Sequence, residues 1–303
     1  MTRSPNMPNL IIIGAQKSAS TFMQNAVAEH PDVFIPKGEE AYFEDPDYDQ
    51  KSASYLSGRF DGRNEKILGI KRPNYIGKPE VPARIVRDLP DAKIIAVLRN
   101  PVDRAIAAYF HQIRYGTMPL LPLDEGMSKL VENDGVIPGY ARSKEILEFG
   151  LYYKYLSQYE HFSSSGRQLV FLHEDISKEP EECIRKSYEF LGVDVSYSPQ
   201  NLQGRPMAAV YNPLRLKVLA ARNPLMFTYN DDRTRLHSRK MNYLEYGLAG
   251  ALTVADRYVL SRFLRNNKPQ LDPTIRKKMV NYFLEDIRKL EKLIDRDLSA
   301  WMG

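Results

Sequence analysis

The chain has 303 residues, of which 43% are hydrophobic and 27% are charged, and its net charge at pH 7 is +5. These values exclude an intrinsically disordered chain, and no block of Lys and Arg marks a nucleic-acid-binding tail. The single cysteine, Cys183, excludes an intrachain disulfide, and no apolar run approaches the roughly 20 residues that span a bilayer.

The first predicted element is a buried strand, Leu10–Ile13, which leads through a loop of small residues into a helix that begins near Thr21. A turn of this kind directs backbone N–H groups and the positive end of the helix dipole at one point, which suits an anion. Lys17 adds a cation, and Ser18 and Ser20 add hydroxyl donors beside that of Thr21. An ordinary strand-to-helix turn is the alternative, but it requires none of these side chains.

The chain continues as alternating strands and helices. One strand is predicted to begin at Ile67, and two others to cover Ala92–Leu98 and Gln168–Leu172. Helices are predicted to cover Val81–Leu89, most of residues 124–160, Pro180–Leu191 up to a Gly192 cap, and the chain from Thr274 onwards. This alternation predicts an α/β protein with a central parallel sheet flanked by helices. Cys183 falls within a helical pattern, so we expect it to be a small core residue.

Residues 197–268 give the weakest pattern. The pairs Asn212-Pro213 and Asn223-Pro224 predict turns, and a basic helix is predicted over Thr253–Arg265. Such a helix could contact a membrane surface, but its apolar face is broken, which disfavours that interpretation.

The loop Gly14–Thr21 resembles the 5′-phosphosulfate loop of sulfotransferases that use 3′-phosphoadenosine 5′-phosphosulfate (PAPS). The family form is Gly-x-x-Lys-Ser/Gly-Gly-Thr-Thr/Ser; Lys17, Ser18 and Thr21 fit it, Ser20 is a conservative change, and Ala19 replaces a glycine. The loop is not a Walker A motif, because Lys17 follows Gly14 by three residues and no glycine precedes it.

A second stretch, which follows the strand Ala92–Leu98, resembles the 3′-phosphate segment of the same family. Arg99, Asn100, Pro101, Arg104, Ala105 and Tyr109 agree with the family pattern, whereas Ala107 replaces its phosphate-binding serine. Arg99 would lie at the carboxyl end of a buried strand, where ligands bind in open α/β sheets, and a guanidinium can bind a phosphate in a fork. An ion pair between Arg99 and Asp103 is the alternative.

Two further segments resemble the family near its acceptor site. Counting back from the aromatic pair Tyr42-Phe43 makes Glu39 the catalytic base, with Glu40 as the near competitor and solvated loop charges as the alternative. The stretch from Ile67 to Tyr75 matches the family at Lys71, which would contact the transferred group or the acceptor unless it is a surface lysine. Arg72 replaces a hydroxyl residue there, and His173 is interpreted as structural.

The resemblance covers residues 8–200 and 274–303. It implies a P-loop-NTPase-like sulfotransferase fold of one domain over residues 1–303, nearer the carbohydrate-type branch, with residues 200–270 as a variable cofactor-lid and acceptor region that includes Arg205 as a cofactor contact. It also implies in-line transfer of the sulfonate group from PAPS to a hydroxyl or amine of a small-molecule or glycan acceptor, with 3′,5′-ADP as product and no metal.

In that reaction Lys17 would stabilise charge on the leaving oxygen and Glu39 would accept the acceptor's proton. A cytoplasmic location without a membrane anchor and without a nucleic-acid partner is expected, while the acceptor and the oligomeric state stay open. Two other interpretations are a P-loop kinase, which needs a magnesium-holding residue beside the lysine, and a nucleotide-binding protein without catalysis.

Overall fold

The computed structural model of the chain describes residues 7–51, 53–200, 202 and 209–303. The chain groups into two compact units. Unit 1 comprises the described residues of Met1–Asn100 and Leu151–Met207 with Asp286–Leu298, and unit 2 comprises Pro101–Gly150, the described residues of Ala208–Glu285, and Ser299–Gly303. The single domain over residues 1–303 stays a prediction. Arg205, the predicted cofactor contact, lies outside the described residues.

Unit 1 is built on a five-stranded parallel sheet. Its strands are β1 (Leu10–Gly14), β2 (Val33–Phe34), β3 (Ile67–Lys71), β4 (Lys93–Leu98) and β5 (Gln168–Leu172), in the order β2-β3-β1-β4-β5. Because β3 and β4 flank β1 on opposite sides, the carboxyl end of β1 is a topological switch point, where ligands bind in open α/β sheets. Unit 2 has an antiparallel pair, β6 (Phe227–Tyr229) and β7 (Leu236–Ser238).

The helices follow the alternation that the sequence predicts. In chain order they are α1 (Ser20–Val27), α2 (Ala53–Gly58), α3 (Val81–Asp88), α4 (Pro101–Arg114), α5 (Leu123–Glu132), α6 (Glu145–Glu148), α7 (Tyr152–Leu156), α8 (Glu160–Ser163), α9 (His173–Lys178), α10 (Pro180–Leu191), α11 (Pro213–Met226), α12 (Tyr243–Val254), α13 (Ser261–Phe263) and α14 (Pro273–Ile294). A π-helical segment, Ala255–Leu260, joins α12 to α13. Short 3₁₀ turns cover Tyr42–Glu44, Tyr48–Gln50, Tyr75–Gly77, Ala141–Lys144, Ser157–Tyr159 and Ser299–Trp301.

The core of unit 1 lies between the sheet and the helices α1 and α10. All five residues of β1 are buried, as its uninterrupted apolar run predicts for a central parallel strand. Leu10 and Ile12 share one cluster with Met23 of α1 and Tyr188 of α10. Cys183 belongs to the same cluster, and burial raises the pKa of its thiol to about 11. The prediction of a small core residue is therefore confirmed.

Two predictions for residues 197–268 are wrong. The turn at Asn223-Pro224 is absent, because both residues lie within α11. The side chain of Asn223 donates to the carbonyl of Arg114 (2.9 Å) and accepts from Arg222 (3.1 Å), so tertiary hydrogen bonds override the local turn signal. The basic helix does not begin at Thr253, because that residue lies near the end of α12, which begins at Tyr243.

The last helix, α14, confirms the helix predicted from Thr274 onwards and buries one face. Met279 and Phe283 in unit 2, and Ile287 and Leu290 in unit 1, are buried. The helix ends at Ile294, and Trp301 follows in a 3₁₀ turn with 4% of its surface exposed. Across the described residues, no helix has the length and apolar character that crossing a bilayer requires.

Candidate active site

The loop between β1 and α1 is held on both sides by neighbouring strands. A Cβ atom added at Gly14, where φ is +139°, would collide with the carbonyl oxygen of Pro73 in the turn after β3. On the other side, the N–H of Ala15 donates to the carbonyl of Val97 in β4 at 2.6 Å. Only glycine therefore fits at the end of β1, and the loop sits over the carboxyl ends of three adjacent strands.

Ala19 takes the conformation that a glycine would take. Its φ of +77° and ψ of +18° lie in the left-handed region, which glycine occupies without strain. Ala19 is also the N-cap of α1, and its methyl group cannot accept a hydrogen bond. The first N–H groups of α1 have no intrahelical acceptor, so this helix end can bind an anion.

Ser18 provides an independent sign of a ligand at this loop. Its side chain is fully buried, and its hydroxyl oxygen has no hydrogen-bond partner within the described part of the chain. A buried hydroxyl without a partner is unfavourable by about 1–3 kcal/mol. An oxyanion at the start of α1 would accept a hydrogen bond from this hydroxyl, so the loop fits the sulfonate-bearing phosphate that the family resemblance implies.

Lys71 connects this loop to the predicted base. It is the last residue of β3, and only 4% of its surface is exposed, so it is not a surface lysine. Its ammonium nitrogen, Nζ, lies 3.1 Å from Oγ1 of Thr21 and 3.4 Å from Oε1 of Glu39. Burial lowers the pKa of Lys71, and the carboxylate of Glu39 opposes that shift.

The two adjacent carboxylates point in different directions. The side chain of Glu40 is buried, accepts from the N–H of Tyr42 at 3.1 Å, and lies 3.5 Å from Nε of Arg59. The side chain of Glu39 is 40% exposed and faces Lys71. This arrangement favours Glu39 over Glu40 for contact with an acceptor, whereas its role as the catalytic base stays a prediction.

Arg72 holds Glu39 from the other side. Its Nη1 donates to Oε2 of Glu39 at 2.8 Å, while its Nε donates to Oε1 of Glu44 at 2.7 Å and its Nη2 contacts the same oxygen. Sequence reasoning treated Arg72 only as a departure from the family pattern and missed this contact. Glu39 is therefore held between two cations that are adjacent in the sequence.

Arg99 lies directly after β4, as predicted, and contacts the loop Gly14–Thr21, here named the anion loop. Its Nη1 donates to the backbone carbonyl of Lys17 at 3.1 Å, and its own carbonyl accepts from the hydroxyl of Tyr152 at 2.9 Å. The carboxylate of Asp103, the alternative partner, pairs within unit 2 with Lys268 at 2.9 Å and Arg276 at 3.3 Å. The guanidinium of Arg99 thus belongs to the loop.

Ala107 lies in α4 of unit 2 and is buried, with 2% of its surface exposed. Its predicted place in the cofactor site stays a prediction. The described residues contain no group of three or more His, Cys, Asp and Glu side chains that could hold a metal ion. The reaction without a metal also stays a prediction.

The sulfotransferase domain family model matches residues 7–207, which include the whole parallel sheet and every described residue of the loop. The chain belongs to this family. Because Lys17, Glu39, Lys71 and Arg99 all fall within the match, the site described above lies in the sulfotransferase domain.

Two curated relatives of this sulfotransferase domain act on a glycan by name. Mouse heparan sulfate glucosamine 3-O-sulfotransferase 3B1 is 30% identical over 190 residues, and the human protein of the same name is 31% identical over 195 residues. Each match covers 63% of this chain and 47% of the relative. The chain thus spans about half the length of the curated relatives it matches.

A sulfotransferase from Alicyclobacillus acidocaldarius has a similar crystal structure. Its TM-score is 0.67 with 24% sequence identity, and the match covers 98% of this chain and 99% of that one. At 24% identity this similarity is evidence for the fold alone. It confirms the predicted sulfotransferase fold, an α/β fold with a central parallel sheet flanked by helices.

Proposed function

We propose that this sulfotransferase-family chain transfers a sulfonate group from PAPS to a hydroxyl or amine of a glycan or small-molecule acceptor and releases 3′,5′-ADP. The proposal depends above all on the position of Lys71, whose ammonium group lies between Thr21 in the anion loop and the carboxylate of Glu39. A cation there is within reach of both a bound anion and an acceptor that Glu39 deprotonates. The names of the curated relatives favour a carbohydrate acceptor.

The anion loop would hold the phosphosulfate end of the donor. The hydroxyls of Ser18, Ser20 and Thr21, and the N–H groups at the start of α1, would donate hydrogen bonds to it. Arg99 would bind the 3′-phosphate, and the family resemblance adds Ala107 and Arg205 to that part of the site. The donor carries its sulfonate group on a phosphate. That phosphate leaves as part of 3′,5′-ADP and is a stable leaving group.

Charge stabilisation is the main task left to the protein, as in phosphoryl transfer. Lys17 would stabilise the negative charge that grows on the oxygen that leaves, and Lys71 would stabilise charge on the oxygens of the transferred group. Burial at the end of β3 removes water from around Lys71, which strengthens this interaction.

Glu39 would accept the proton of the attacking hydroxyl or amine. General base catalysis of this kind typically accelerates a reaction about 10²–10⁴-fold. The contacts with Arg72 and Lys71 restrict the carboxylate to one position, so that one oxygen can face the acceptor.

Transfer of a labelled sulfonate group from PAPS to a panel of heparan fragments, other glycans and phenols tests the proposal. Lys17→Ala should lower kcat about 100-fold or more. Lys37→Ala is the matched control, because Lys37 is an exposed lysine outside the loop, and it should leave kcat unchanged.

Two results would contradict the proposed function, and a third would contradict the role of Lys17. Tight binding of 3′,5′-ADP without transfer to any acceptor would indicate a nucleotide-binding protein. A preference for ATP with magnesium over 3′,5′-ADP would indicate a kinase. Wild-type turnover by Lys17→Ala would remove Lys17 from the mechanism.

A further inference from the structure

Unit 2 exposes a dense group of apolar side chains along one helical segment, Tyr243–Phe263, here named the outer helix. It consists of α12, the π-helical segment and α13. Fourteen large apolar side chains are exposed in the described part of the chain, and eight of them lie on the outer helix. These eight are Tyr243, Leu244, Tyr246, Leu248, Val254, Tyr258, Val259 and Phe263.

The exposure of these side chains is nearly complete at both ends of the outer helix. Tyr243 is 99% exposed, Leu244 is 82% exposed and Phe263 is 81% exposed. Single exposed apolar side chains are ordinary on protein surfaces, but a contiguous group of them marks a surface that contacts something else.

The outer helix buries no large apolar side chain fully, and only Leu252 and Leu260 of this kind are half-buried. Ala249 and Asp256 are its buried residues, and the carboxylate of Asp256 accepts two hydrogen bonds from Arg215, at 2.7 and 3.1 Å. An amphipathic surface helix normally directs its large apolar residues toward the core. In the outer helix eight of the ten large apolar residues are exposed instead, so folding of the chain alone does not account for these eight.

The charges around this apolar surface are positive. Lys240, Arg257, Arg262 and Arg265 are exposed. The only acidic residues between positions 239 and 265 are Glu245, which pairs with Arg239, and Asp256, which pairs with Arg215. Both carboxylates are neutralised within unit 2, so the exposed charge beside the apolar surface is basic.

The true start of the helix changes the earlier interpretation of this segment. The apolar face looked broken because the sequence pattern placed the start of the helix at Thr253. The segment begins ten residues earlier, at Tyr243, and the added turns contribute Leu244 and Leu248 to the exposed surface.

We propose that the outer helix binds the surface of a bilayer that contains anionic lipids. Its aromatic and aliphatic side chains would enter the boundary between headgroups and acyl chains, and its arginines would contact anionic headgroups. A second copy of the chain fits less well, because a two-fold contact through this face would bring the arginines of both copies together. The inference is independent of sulfonate transfer.

Flotation of the full chain with 100 nm vesicles tests the charge. At low salt the chain should float with vesicles of about 70% phosphatidylcholine and about 30% phosphatidylglycerol. With vesicles of pure phosphatidylcholine it should remain at the bottom of the gradient. The double variant Arg257→Gln/Arg262→Gln should bind the anionic vesicles about 25-fold more weakly. Arg288→Gln/Lys292→Gln removes the same charge from exposed positions of α14 and should bind like the wild type.

A second pair of variants tests the apolar contact. Leu244→Ser/Phe263→Ser should abolish flotation even at low salt, whereas Leu120→Ser/Val195→Ser, which changes exposed apolar residues elsewhere, should not. All variants should keep the circular dichroism spectrum and the urea midpoint of the wild type, which verifies that they fold.

Two results would overturn the proposal. Equal binding to neutral and anionic vesicles, or none to either, excludes an anionic bilayer as the partner. The other is a wild-type chain that does not float but sediments as a dimer, with the dimer lost in Leu244→Ser/Phe263→Ser. That result would assign the outer helix to a second copy of the chain.

Discussion

The guanidinium of Arg99 donates a hydrogen bond to the backbone carbonyl of Lys17 at 3.1 Å. The two motifs that resemble opposite ends of a PAPS site are therefore in direct contact, although 82 residues separate them. Arg99 has donors left after this bond, since a guanidinium carries five. One residue can thus support the anion loop and bind a phosphate.

Arg99→Ala should weaken binding of 3′,5′-ADP by roughly 10- to 100-fold, because a hydrogen bond to a charged group is worth about 1.5–3 kcal/mol. Binding of 5′-AMP should weaken less, since 5′-AMP has no 3′-phosphate and is affected only through the lost contact between Arg99 and the anion loop. Calorimetric titration with both nucleotides measures the difference. If the preference for 3′,5′-ADP over 5′-AMP survives the substitution, the second motif does not bind the 3′-phosphate.

Glu39→Gln should lower kcat about 10²-fold or more while the affinity for 3′,5′-ADP stays unchanged, because the amide keeps the shape and loses the base. Glu40→Gln is the neighbouring control. It should lower stability, since the carboxylate of Glu40 is buried and accepts from the N–H of Tyr42, but leave kcat nearly unchanged. Single-turnover kinetics and urea unfolding separate the two effects, and the reverse pattern would make Glu40 the base.

Arg72→Ser should lower kcat about tenfold without changing donor affinity, because Glu39 loses the contact that orients it. Arg72→Lys should recover part of the loss, since it restores one cation without the fork. Arg59→Ser is the matched control, because Arg59 lies against Glu40 instead. A similar loss of kcat in Arg59→Ser would mean that the effect is general to this loop and not specific to Glu39.

Ala19→Gly should increase the free energy of unfolding by about 1 kcal/mol, because a left-handed backbone is strained for alanine and not for glycine. Ala26→Gly, in the last turn of α1, should have the opposite effect by about 1 kcal/mol, because Ala26 is buried there and glycine lowers helix propensity. Urea unfolding of both variants measures the pair. Two changes of the same sign would show that Ala19 is not strained.

The buried ammonium of Lys71 predicts a pH dependence of stability. Burial lowers its pKa below 10.5, so between the lowered value and 10.5 the unfolded chain holds a proton that the folded chain has released. In that window the free energy of unfolding should rise with pH in the wild type relative to Lys71→Met. The window should widen in Glu39→Gln, because Glu39 opposes the shift. Parallel curves of the free energy of unfolding against pH for the wild type and Lys71→Met would contradict this prediction.

Sequence patterns predicted the framework of the site because they are local. An uninterrupted apolar run such as Leu10–Ile13 identifies a buried parallel strand, and the residue after such a strand lies at the ligand-binding edge of the sheet. Both the anion loop and Arg99 follow such strands directly. Their positions could therefore be predicted without any knowledge of long-range contacts.

Other features depend on contacts between distant residues and left no local signal. The contact between Arg72 and Glu39 joins residues 33 positions apart, and the depth of Lys71 depends on packing around the end of β3. The start of α12 was missed because Gly247 and Gly250 lower the helix propensity of a segment that is otherwise apolar.

Each compact unit contains one intrinsic reporter that the other lacks. The only tryptophan, Trp301, is buried in unit 2, and the only cysteine, Cys183, is buried in unit 1. In a urea titration, indole fluorescence therefore reports the unfolding of one unit and thiol accessibility to a chromogenic disulfide reports that of the other, without any engineered label. Coincident midpoints would mean that the two units unfold as one cooperative domain, and separate midpoints would give each unit its own stability.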